Sequence, residues 1–318
     1  MDDLLKTLAS PGCEHALELL EDGLLDRVCG RRFPIRDGIP RFVSGESYAD
    51  SFGEQWTRFR RTQIDRFNGT TLSRDRFCAG TGWDAEALQG RRVLEMGCGA
   101  GRFTQVMLDF GAEVYAVDLT SAADVCLANH GPHPRLRVVQ ADCDVAPFRR
   151  GIFDKVFCYG VLQHTPKPKR AFLNLVSFLR PGGEIAVDVY IKKWQIIPSK
   201  SKYLYRWLTT RLPRPVLFRI IQWYVPKWLP FDTAMKRVPK LGPLLGMCIP
   251  CWNYSSLPLT PRQVVEWGIL DTFDALAPTY DVPQTMPEVA SWFREAGLAD
   301  VRIREGGNGI VANGRKPA

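Results

Sequence analysis

The chain has 318 residues, of which 45% are hydrophobic, so it can bury one large core or two modest ones. No stretch approaches the roughly 18 uninterrupted apolar residues of a membrane span, and the N-terminus lacks the basic and apolar regions of a signal peptide. We therefore expect neither segment. Nine cysteines are scattered singly, which is untypical of a disulfide framework and predicts a reducing cytoplasm.

The net charge of +8 is concentrated in one part of the chain. Residues 192–240 contain twelve lysines and arginines against one acidic residue, Asp232, so the remainder is slightly acidic. This distribution excludes a protein coated with positive charge. It predicts one local basic surface instead.

The first 45 residues form a short module of their own. Its two distinctive runs are Ser10-Pro-Gly-Cys13 and Phe33-Pro-Ile-Arg-Asp-Gly-Ile-Pro40. Both resemble the small zinc-ribbon-like domain that activates some tRNA and protein methyltransferases. The resemblance implies a ribbon module ahead of the main domain.

Zinc-binding members of that family carry two cysteine pairs, which would fall at positions 10, 13, 26 and 29 of this chain. Cys13 and Cys29 are present, but the other two positions hold Ser10 and Asp26. A structural zinc site takes four ligands in a tetrahedron. With half of them replaced, we predict a metal-free ribbon, even with Asp26 or His15 considered as substitute ligands.

Residues 46–90 show aromatic side chains at helical spacing. Phe52, Trp56, Phe59 and Phe67 fit amphipathic helices whose apolar stripe packs on something larger. One interpretation is plain packing. The alternative is a lid that closes over a ligand, with Tyr48, Phe52 or Trp56 touching it.

Three glycines, Gly97, Gly99 and Gly101, follow a buried strand that includes Leu94. Such a turn lets a ligand lie against bare backbone, because no side chain holds it off and N–H groups face the gap. Asp118 ends the next apolar run about 20 residues later, where an acid can bind a ribose. The pattern predicts a nucleotide-type site, with a simple tight turn as the alternative.

Apolar strands and helices alternate over residues 91–190, which predicts a parallel, doubly wound sheet. Strands are predicted at 92–96, 113–118, 136–140, 153–159 and 184–190, and helices at 101–110, 122–129 and 168–180. The run Arg180-Pro-Gly-Gly183 is interpreted as the stop signal of the last helix.

In such sheets the ligand lies at the carboxyl ends of the strands, so the residues that end each strand become site candidates. They are Glu95, Asp118, Asp142 with Cys143, Tyr159 with Gly160, and Asp188 with Tyr190.

Five motifs in this region resemble, in order and spacing, those of class I S-adenosylmethionine-dependent methyltransferases. They are Leu94-Glu-Met-Gly-Cys-Gly-Ala-Gly101, Val117-Asp118, Gln140-Ala-Asp142, Tyr159-Gly-Val-Leu-Gln-His-Thr-Pro166 and Leu179-Arg-Pro-Gly-Gly183. The resemblance implies an α/β, Rossmann-like, doubly wound seven-stranded sheet and S-adenosylmethionine as cofactor.

The resemblance also implies a role for each motif. Glu95 and the glycine turn would hold the methionine part, Asp118 the ribose and Asp142 the adenine, and residues 159–164 would line the methyl-donor side. The implied cofactor-binding residues are Glu95, Gly97, Cys98, Gly99, Gly101, Asp118, Leu119, Asp142, Cys143, Tyr159, Gly160, Val161 and His164.

A large insertion, residues 191–285, follows the fifth strand and begins with the basic, aromatic-rich segment. Pro215 can open a helix that carries Val216, Leu217, Ile220, Ile221 and Tyr224 on one face. This helix is either a lid packed on the sheet, a surface for a membrane or an anionic or polyprenyl-linked substrate, or a nucleic-acid surface.

The insertion ends in an acidic and aromatic stretch. Tyr254, Asp271, Asp274 and Tyr280 are the candidate acceptor-binding residues, with caps and turns as the alternative for this stretch. The pair Cys248 and Cys251 has metal-pair spacing but no second pair nearby, so we interpret it as incidental.

The sheet is predicted to resume near Pro287, with a helix followed by strands at 300–305 and 309–314. The domain boundaries that follow are 1–45 for the ribbon module, 46–90 for a helical cap, 91–190 plus 286–318 for the core, and 191–285 for an insertion that serves as a substrate lid.

Methyl transfer from a sulfonium is an in-line displacement, so the protein must mainly align donor and acceptor and exclude water. A base is needed only if the acceptor loses a proton. His164 is the first candidate, because a histidine suits removal of a hydroxyl proton, and the alternative is that it orients its loop. Asp188 and Tyr190 are the reserves.

The favoured acceptor is a small molecule, a sugar or a lipid-linked glycan, methylated on oxygen. RNA is less favoured, because the fourth-strand motif lacks the Asn/Asp-Pro-Pro-Tyr sequence of amino-group methyltransferases and there is no Thr-Cys-Pro nucleophile. A non-catalytic, cofactor-binding regulator of a partner protein is the other alternative. We expect a cytoplasmic protein with peripheral contact at the inner membrane face through residues 192–240.

Overall fold

The structure is a computed structural model that describes residues 1–43, 47–192, 202–235, 238 and 249–318. The N-terminal module begins with helix α1 (Asp2–Leu5) and continues as an antiparallel sheet of β1 (Glu18–Leu19), β2 (Gly23–Leu25), β3 (Arg32–Arg36) and β4 (Ile39–Pro40). Asp37 and Gly38, both with positive φ, make the β3–β4 turn.

Four helices follow the module. They are α2 (Asp50–Arg58), α3 (Asp65–Asn68), α4 (Leu72–Thr81) and α5 (Ala85–Leu88). Phe77 of α4 is fully buried against Trp83, Phe103 and Phe157, so this segment packs directly on the central sheet.

The central sheet has seven strands among the described residues. They are β5 (Arg92–Met96), β6 (Glu113–Asp118), β7 (Leu136–Gln140), β8 (Phe153–Cys158), β9 (Leu179–Val189), β10 (Ala299–Gly306) and β11 (Gly309–Arg315). Their order is β10-β11-β9-β8-β5-β6-β7, and β11 alone runs antiparallel to its neighbours. The predicted Rossmann-like, doubly wound, seven-stranded fold is confirmed.

Helices cover both faces of this sheet. The connecting helices are α6 (Arg102–Asp109), α7 (Ala122–His130) and α8 (Pro168–Ser177). Alternate residues of β5 point to opposite layers: Leu94 and Met96 belong to the core that includes Phe172 of α8, whereas Val93 belongs to the core that includes Phe103 of α6. Two buried layers therefore fix the register of β5.

The predicted helix 168–180 is wrong at its end. Helix α8 ends at Ser177, and β9 already begins at Leu179. The Pro-Gly-Gly run therefore lies near the start of the strand. A register shift between Phe153 and Lys155 of β8 accommodates this run opposite β9. The segment is an irregularity of the strand, not a helix stop.

Three described helices occupy the insertion after β9: α9 (Lys202–Thr209), α10 (Arg214–Met235) and α11 (Pro261–Leu276). Helix α10 packs mainly on α11, because Leu217, Ile221 and Val225 share a buried cluster with Leu270 and Phe273. The predicted α10 face is wrong in part, because Val216 and Ile220 are 43% and 44% exposed. Two residues of the insertion lie outside the described residues: Trp194, an aromatic residue of the basic segment, and Cys248 of the cysteine pair.

The chain closes with α12 (Met286–Glu295), which leads into β10 and then β11. Val289, Trp292 and Phe293 face inward, as their spacing predicts. Across the described ranges of the chain, no helix has the length and apolar character that a membrane crossing requires.

Candidate functional site

A cavity of about 800 Å³ lies at the carboxyl ends of the central strands. Its wall combines the glycine turn after β5, the ends of β6, β8 and β9, helices α2 and α4, and α11 with the loop before it. This is the edge at which parallel α/β sheets bind ligands. The insertion and the N-terminal helices therefore form a wall of the same cavity as the sheet.

The glycine turn needs its glycines for two reasons. Gly97 and Gly99 have φ of 77° and 52°, a region that L side chains rarely adopt. A β-carbon on Gly99 would also lie 2.9 Å from the Trp56 ring, and one on Gly97 would overlap Val161. The turn is therefore covered by α2 on one side and by the loop after β8 on the other.

Asp118 is tied to this turn by hydrogen bonds. Its carboxylate accepts the N–H of Gly99 at 2.9 Å and the N–H and hydroxyl of Thr120 at 2.9 and 2.8 Å. Burial raises the pKa of Asp118, and these donors offset only part of the rise. Asp118 lines the cavity, and the hydrogen bonds from Gly99 and Thr120 fix the position of its carboxylate.

Glu95 lies beneath the turn and is not part of the cavity wall. It is 1% exposed, and its carboxyl group accepts a hydrogen bond from the Thr104 hydroxyl of α6. Burial raises the pKa of Glu95 to about 8. The carboxyl group is therefore mainly protonated at neutral pH, and its observed role is to join β5 to α6.

Replacing Glu95 with glutamine is expected to change how stability depends on pH. The folded pKa of about 8 exceeds the ordinary glutamate value, so folding favours the protonated form. Stability from this group is complete at low pH and is lost as pH rises toward 8, by at most about 1.4 kcal/mol per pH unit. The free energy of unfolding, measured with urea between pH 5 and 8, should fall more steeply with pH for wild type than for Glu95→Gln. Parallel plots of this free energy against pH would contradict a raised pKa of Glu95.

The donor side of the cavity carries an ion pair that the sequence did not predict. Asp188, 1% exposed at the end of β9, accepts bonds from Arg76 of α4 at 2.6 Å and from the Gly160 N–H. Arg76 lines the same cavity. Asp188 thus holds the loop after β8 and α4 together, which is a positioning contact as well as a place at the cavity wall.

His164 is buried in the same wall, with its ring packed on Phe52 at 5.0 Å and on Tyr190 at 5.4 Å between centroids. Its Nδ1 lies 2.9 Å from the backbone carbonyl oxygen of Tyr280. A carbonyl only accepts, so Nδ1 carries the proton and Nε2 carries the lone pair. Burial lowers the pKa of His164, which keeps the ring neutral.

Three of the four acceptor-binding candidates lie in two hydrogen-bonded pairs, one of which includes the reserve base Tyr190. The Tyr190 hydroxyl donates to Asp274 at 3.2 Å, and the Tyr254 hydroxyl donates to Asp271. Glutamines of the N-terminal segment complete them: Gln55 donates to Asp274 at 3.3 Å and Gln63 to Asp271 at 3.2 Å. Burial raises the pKa of Asp271 to about 6.

Arg102 and the two glutamines are further cavity residues that the sequence interpretation did not place in the site. Arg102 donates to Gln63 and to the Ser73 hydroxyl, both at 2.9 Å, and burial lowers its pKa to about 10. In the sequence these residues occur among many arginines and glutamines of amphipathic helices. No local signal separates them from surface residues.

Most of the predicted site residues line this cavity, and four do not. The four are Glu95, Gly101, Asp142 and Tyr280. Asp142 accepts the N–H of Asp144 at 2.8 Å and so caps a short 3₁₀ turn. Gly101 packs against His130, and Tyr280 offers its backbone oxygen to His164.

A separate cluster lies in the N-terminal module. The ligand atoms of Cys13, His15 and Cys29 lie within 4.8 Å of one another. Asp26 joins them, 3.1 Å from the His15 Nδ1 and 2.9 Å from the Cys29 sulfur. These donor types are compatible with a structural zinc ion. The metal-free ribbon stays a prediction, and elemental analysis of the purified protein tests it.

Sequence comparison assigns the central segment. Residues 94–187 match the family described as "Methyltransferase domain". The ubiquinone biosynthesis O-methyltransferase of Xanthomonas campestris pv. campestris is 36% identical over 102 residues, which is 31% of this chain and 43% of that protein. The corresponding protein of Xanthomonas oryzae pv. oryzae is 36% identical over 101 residues, which is 31% of this chain and 42% of that protein. The match thus spans less than half of these relatives.

Solved structures with a similar arrangement share little sequence. Phosphoethanolamine N-methyltransferase 2 of Haemonchus contortus, in complex with S-adenosyl-L-methionine, has a TM-score of 0.49 and 13% identity, covering 91% of this chain and 62% of that one. An O-methyltransferase family protein of Burkholderia thailandensis has a TM-score of 0.47 and 14% identity, covering 85% and 63%. Residues 94–187 thus match a methyltransferase domain, within a chain whose seven-stranded sheet has a Rossmann-like arrangement.

Proposed function

We propose that this chain transfers the methyl group of S-adenosylmethionine to a hydroxyl oxygen of a small molecule, a sugar or a lipid-linked glycan. The observation that carries the proposal is His164, a buried, neutral imidazole whose Nδ1 is occupied by a carbonyl in the wall of the cavity that also contains the glycine turn. A neutral imidazole with a lone pair on Nε2 suits removal of a hydroxyl proton.

The residues fit the cofactor that the domain implies. The backbone of residues 97–100, bare of side chains at its glycines, would lie against the methionine end. Asp118 would hold the ribose hydroxyls and Cys143, with the adjacent Asp142, the adenine. When bound, the cofactor supplies an electrophilic methyl group on a sulfonium. Phe52 and Trp56, which line the same cavity, would exclude water from the reacting atoms.

The acceptor would lie between this donor side and the acidic, aromatic wall. Tyr190 with Asp274 and Tyr254 with Asp271 present hydroxyl and carboxyl groups at fixed positions, suited to hydrogen bonds with a polyhydroxylated or phenolic acceptor. Asp188 and Tyr190 are the reserve bases. Because His164 touches the ring of Tyr190, the base and the acceptor wall lie side by side.

The acceptor class can be identified with methyl-labelled S-adenosylmethionine and fractionated cell extract. We expect label in a low-molecular-weight, lipid or glycan fraction. Label in RNA would instead make the chain an RNA methyltransferase. Cofactor binding without formation of S-adenosylhomocysteine in any fraction would support a non-catalytic regulator, a role the ribbon-like module would suit. Either of these results would overturn the proposed O-methylation.

The proposal includes a location. We place the chain in the cytoplasm, with peripheral contact at the inner membrane face through the basic segment 192–240. Part of this segment lies outside the described residues, and α9 and α10 provide most of its described part.

A further inference from the structure

Helix α10 has an outer face that no described part of the chain covers. Leu217, Ile221 and Val225 are buried against α11, which fixes the rotation of the helix. Positions that differ from these by about half a turn point to solvent. They are Val216, Arg219, Ile220, Trp223, Lys227 and Phe231, all of them exposed. We call this set the α10 outer face.

The outer face is unusually apolar for a surface helix. Trp223 is 66% exposed, Phe231 is 49% exposed, and Val216 and Ile220 are 43% and 44% exposed. Single exposed apolar residues are normal, but four on one helix face that spans about 22 Å are a contiguous patch. Such a patch marks an interaction surface.

The charge of the face indicates the kind of partner. Its two charged residues, Arg219 and Lys227, are both cationic, and the Lys227 ammonium lies 3.9 Å from the centre of the Trp223 ring. The acid of this helix, Asp232, is 2% exposed and accepts a bond from Asn253 at 2.6 Å. The outward field is therefore positive, and it complements an anionic surface.

We propose that the α10 outer face docks this protein on an anionic lipid bilayer, with the helix lying in the plane of the headgroups. Tryptophan and phenylalanine beside lysine and arginine, opposite a face packed on protein, are the composition of an interfacial helix. Nucleic acid fits less well, because two cations would neutralise few phosphates. This proposal narrows the peripheral membrane contact proposed above, on which it rests, to one helix face. Docking is independent of the methyl-transfer function, because it involves neither cofactor nor acceptor.

The docked helix would also lie next to the acceptor wall. The Tyr224 hydroxyl of α10 donates to the backbone oxygen of Pro250, and Asn253 donates to Asp232. Pro250 and Asn253 flank Trp252 in the sequence, and Trp252 lines the cavity. Direct contacts therefore join the docking helix to the segment that carries this part of the acceptor wall.

The full-length protein should cosediment with vesicles of phosphatidylcholine and phosphatidylglycerol, and much less with phosphatidylcholine alone. Each basic residue near such a surface contributes about 1 kcal/mol, so Arg219→Glu with Lys227→Glu should weaken partitioning by tenfold or more. Trp223→Ser with Phe231→Ser should also weaken it, and this loss should persist at high salt. All four positions are exposed, so the variants should fold.

The matched control is Arg32→Glu with Arg36→Glu, which makes the same charge change on exposed residues of β3. This control should bind vesicles within about twofold of wild type. Thermal unfolding verifies the fold of each variant without involving lipid, and titration with S-adenosylmethionine is measured in parallel. Equal binding of the control and the α10 variants, no vesicle binding by wild type, or binding of an RNA probe in its place would overturn the proposal. Failure of cofactor binding would instead concern the proposed function.

Discussion

Replacing Gly99 with leucine is expected to weaken the binding of S-adenosylmethionine by a factor of about 100 or more. The leucine must adopt a φ of 52°, and its β-carbon would lie 2.9 Å from the Trp56 ring. A left-handed conformation alone costs about 1–2 kcal/mol. Because the Gly99 N–H also donates to Asp118, displacement of the turn moves the carboxylate that we assign to the ribose. Isothermal titration measures the loss.

Gly82→Leu is the matched control for this experiment. Gly82 ends α4 with a φ of 73°, but a β-carbon there would meet nothing within 4 Å. This variant has similar backbone strain without the overlap at the turn. It should bind the cofactor within a few-fold of wild type. If wild type itself shows no binding, the assignment of the cavity to S-adenosylmethionine is wrong.

Replacing His164 with asparagine is expected to lower the rate of methyl transfer by about 10²–10⁴, the contribution of a general base. The asparagine amide can still donate to the Tyr280 carbonyl, so the loop keeps its contact while the Nε2 lone pair is lost. Cofactor binding should stay close to that of wild type. The measurement is label transfer to the acceptor fraction that the extract experiment identifies.

The pH dependence separates the two roles of this histidine. A general base works only when unprotonated, so the wild-type rate should fall as pH drops through the pKa of His164. Burial lowers that pKa, which places the fall below the ordinary histidine range near 6.5. His164→Asn should lose this acidic limb. A variant with a near wild-type rate and an unchanged profile would show that His164 only orients its loop.

The strands and helices of the core were largely predictable from the sequence. Strands β5, β6 and β7 have the bounds that the sequence predicts, because strands buried in a parallel sheet are rich in apolar residues. The glycine turn was predictable as well, since positive φ at Gly97 and Gly99 restricts the residue type locally. Each of these features depends on a few consecutive residues.

The site residues that were missed depend on contacts distant in sequence. Arg76 pairs with Asp188 across 112 positions, and Gln63 donates to Asp271 across 208. Glu95 occupies a motif position, but burial against Thr104 keeps it out of the cavity wall. An arginine or glutamine on an amphipathic helix looks the same in sequence whether it meets a carboxylate or water.

The insertion shows most clearly which features the sequence determined and which the tertiary structure decided. Its basic and aromatic composition was evident from the sequence, and so was the presence of a helix after Pro215. Which face of α10 is buried was decided by α11, because Leu270 and Phe273 select Leu217, Ile221 and Val225 as packing partners. Val216 and Ile220 are equally apolar but lie on the other side of the helix. Composition and local periodicity thus determined the elements, whereas tertiary packing decided which of their residues face the core, the cavity or the outside.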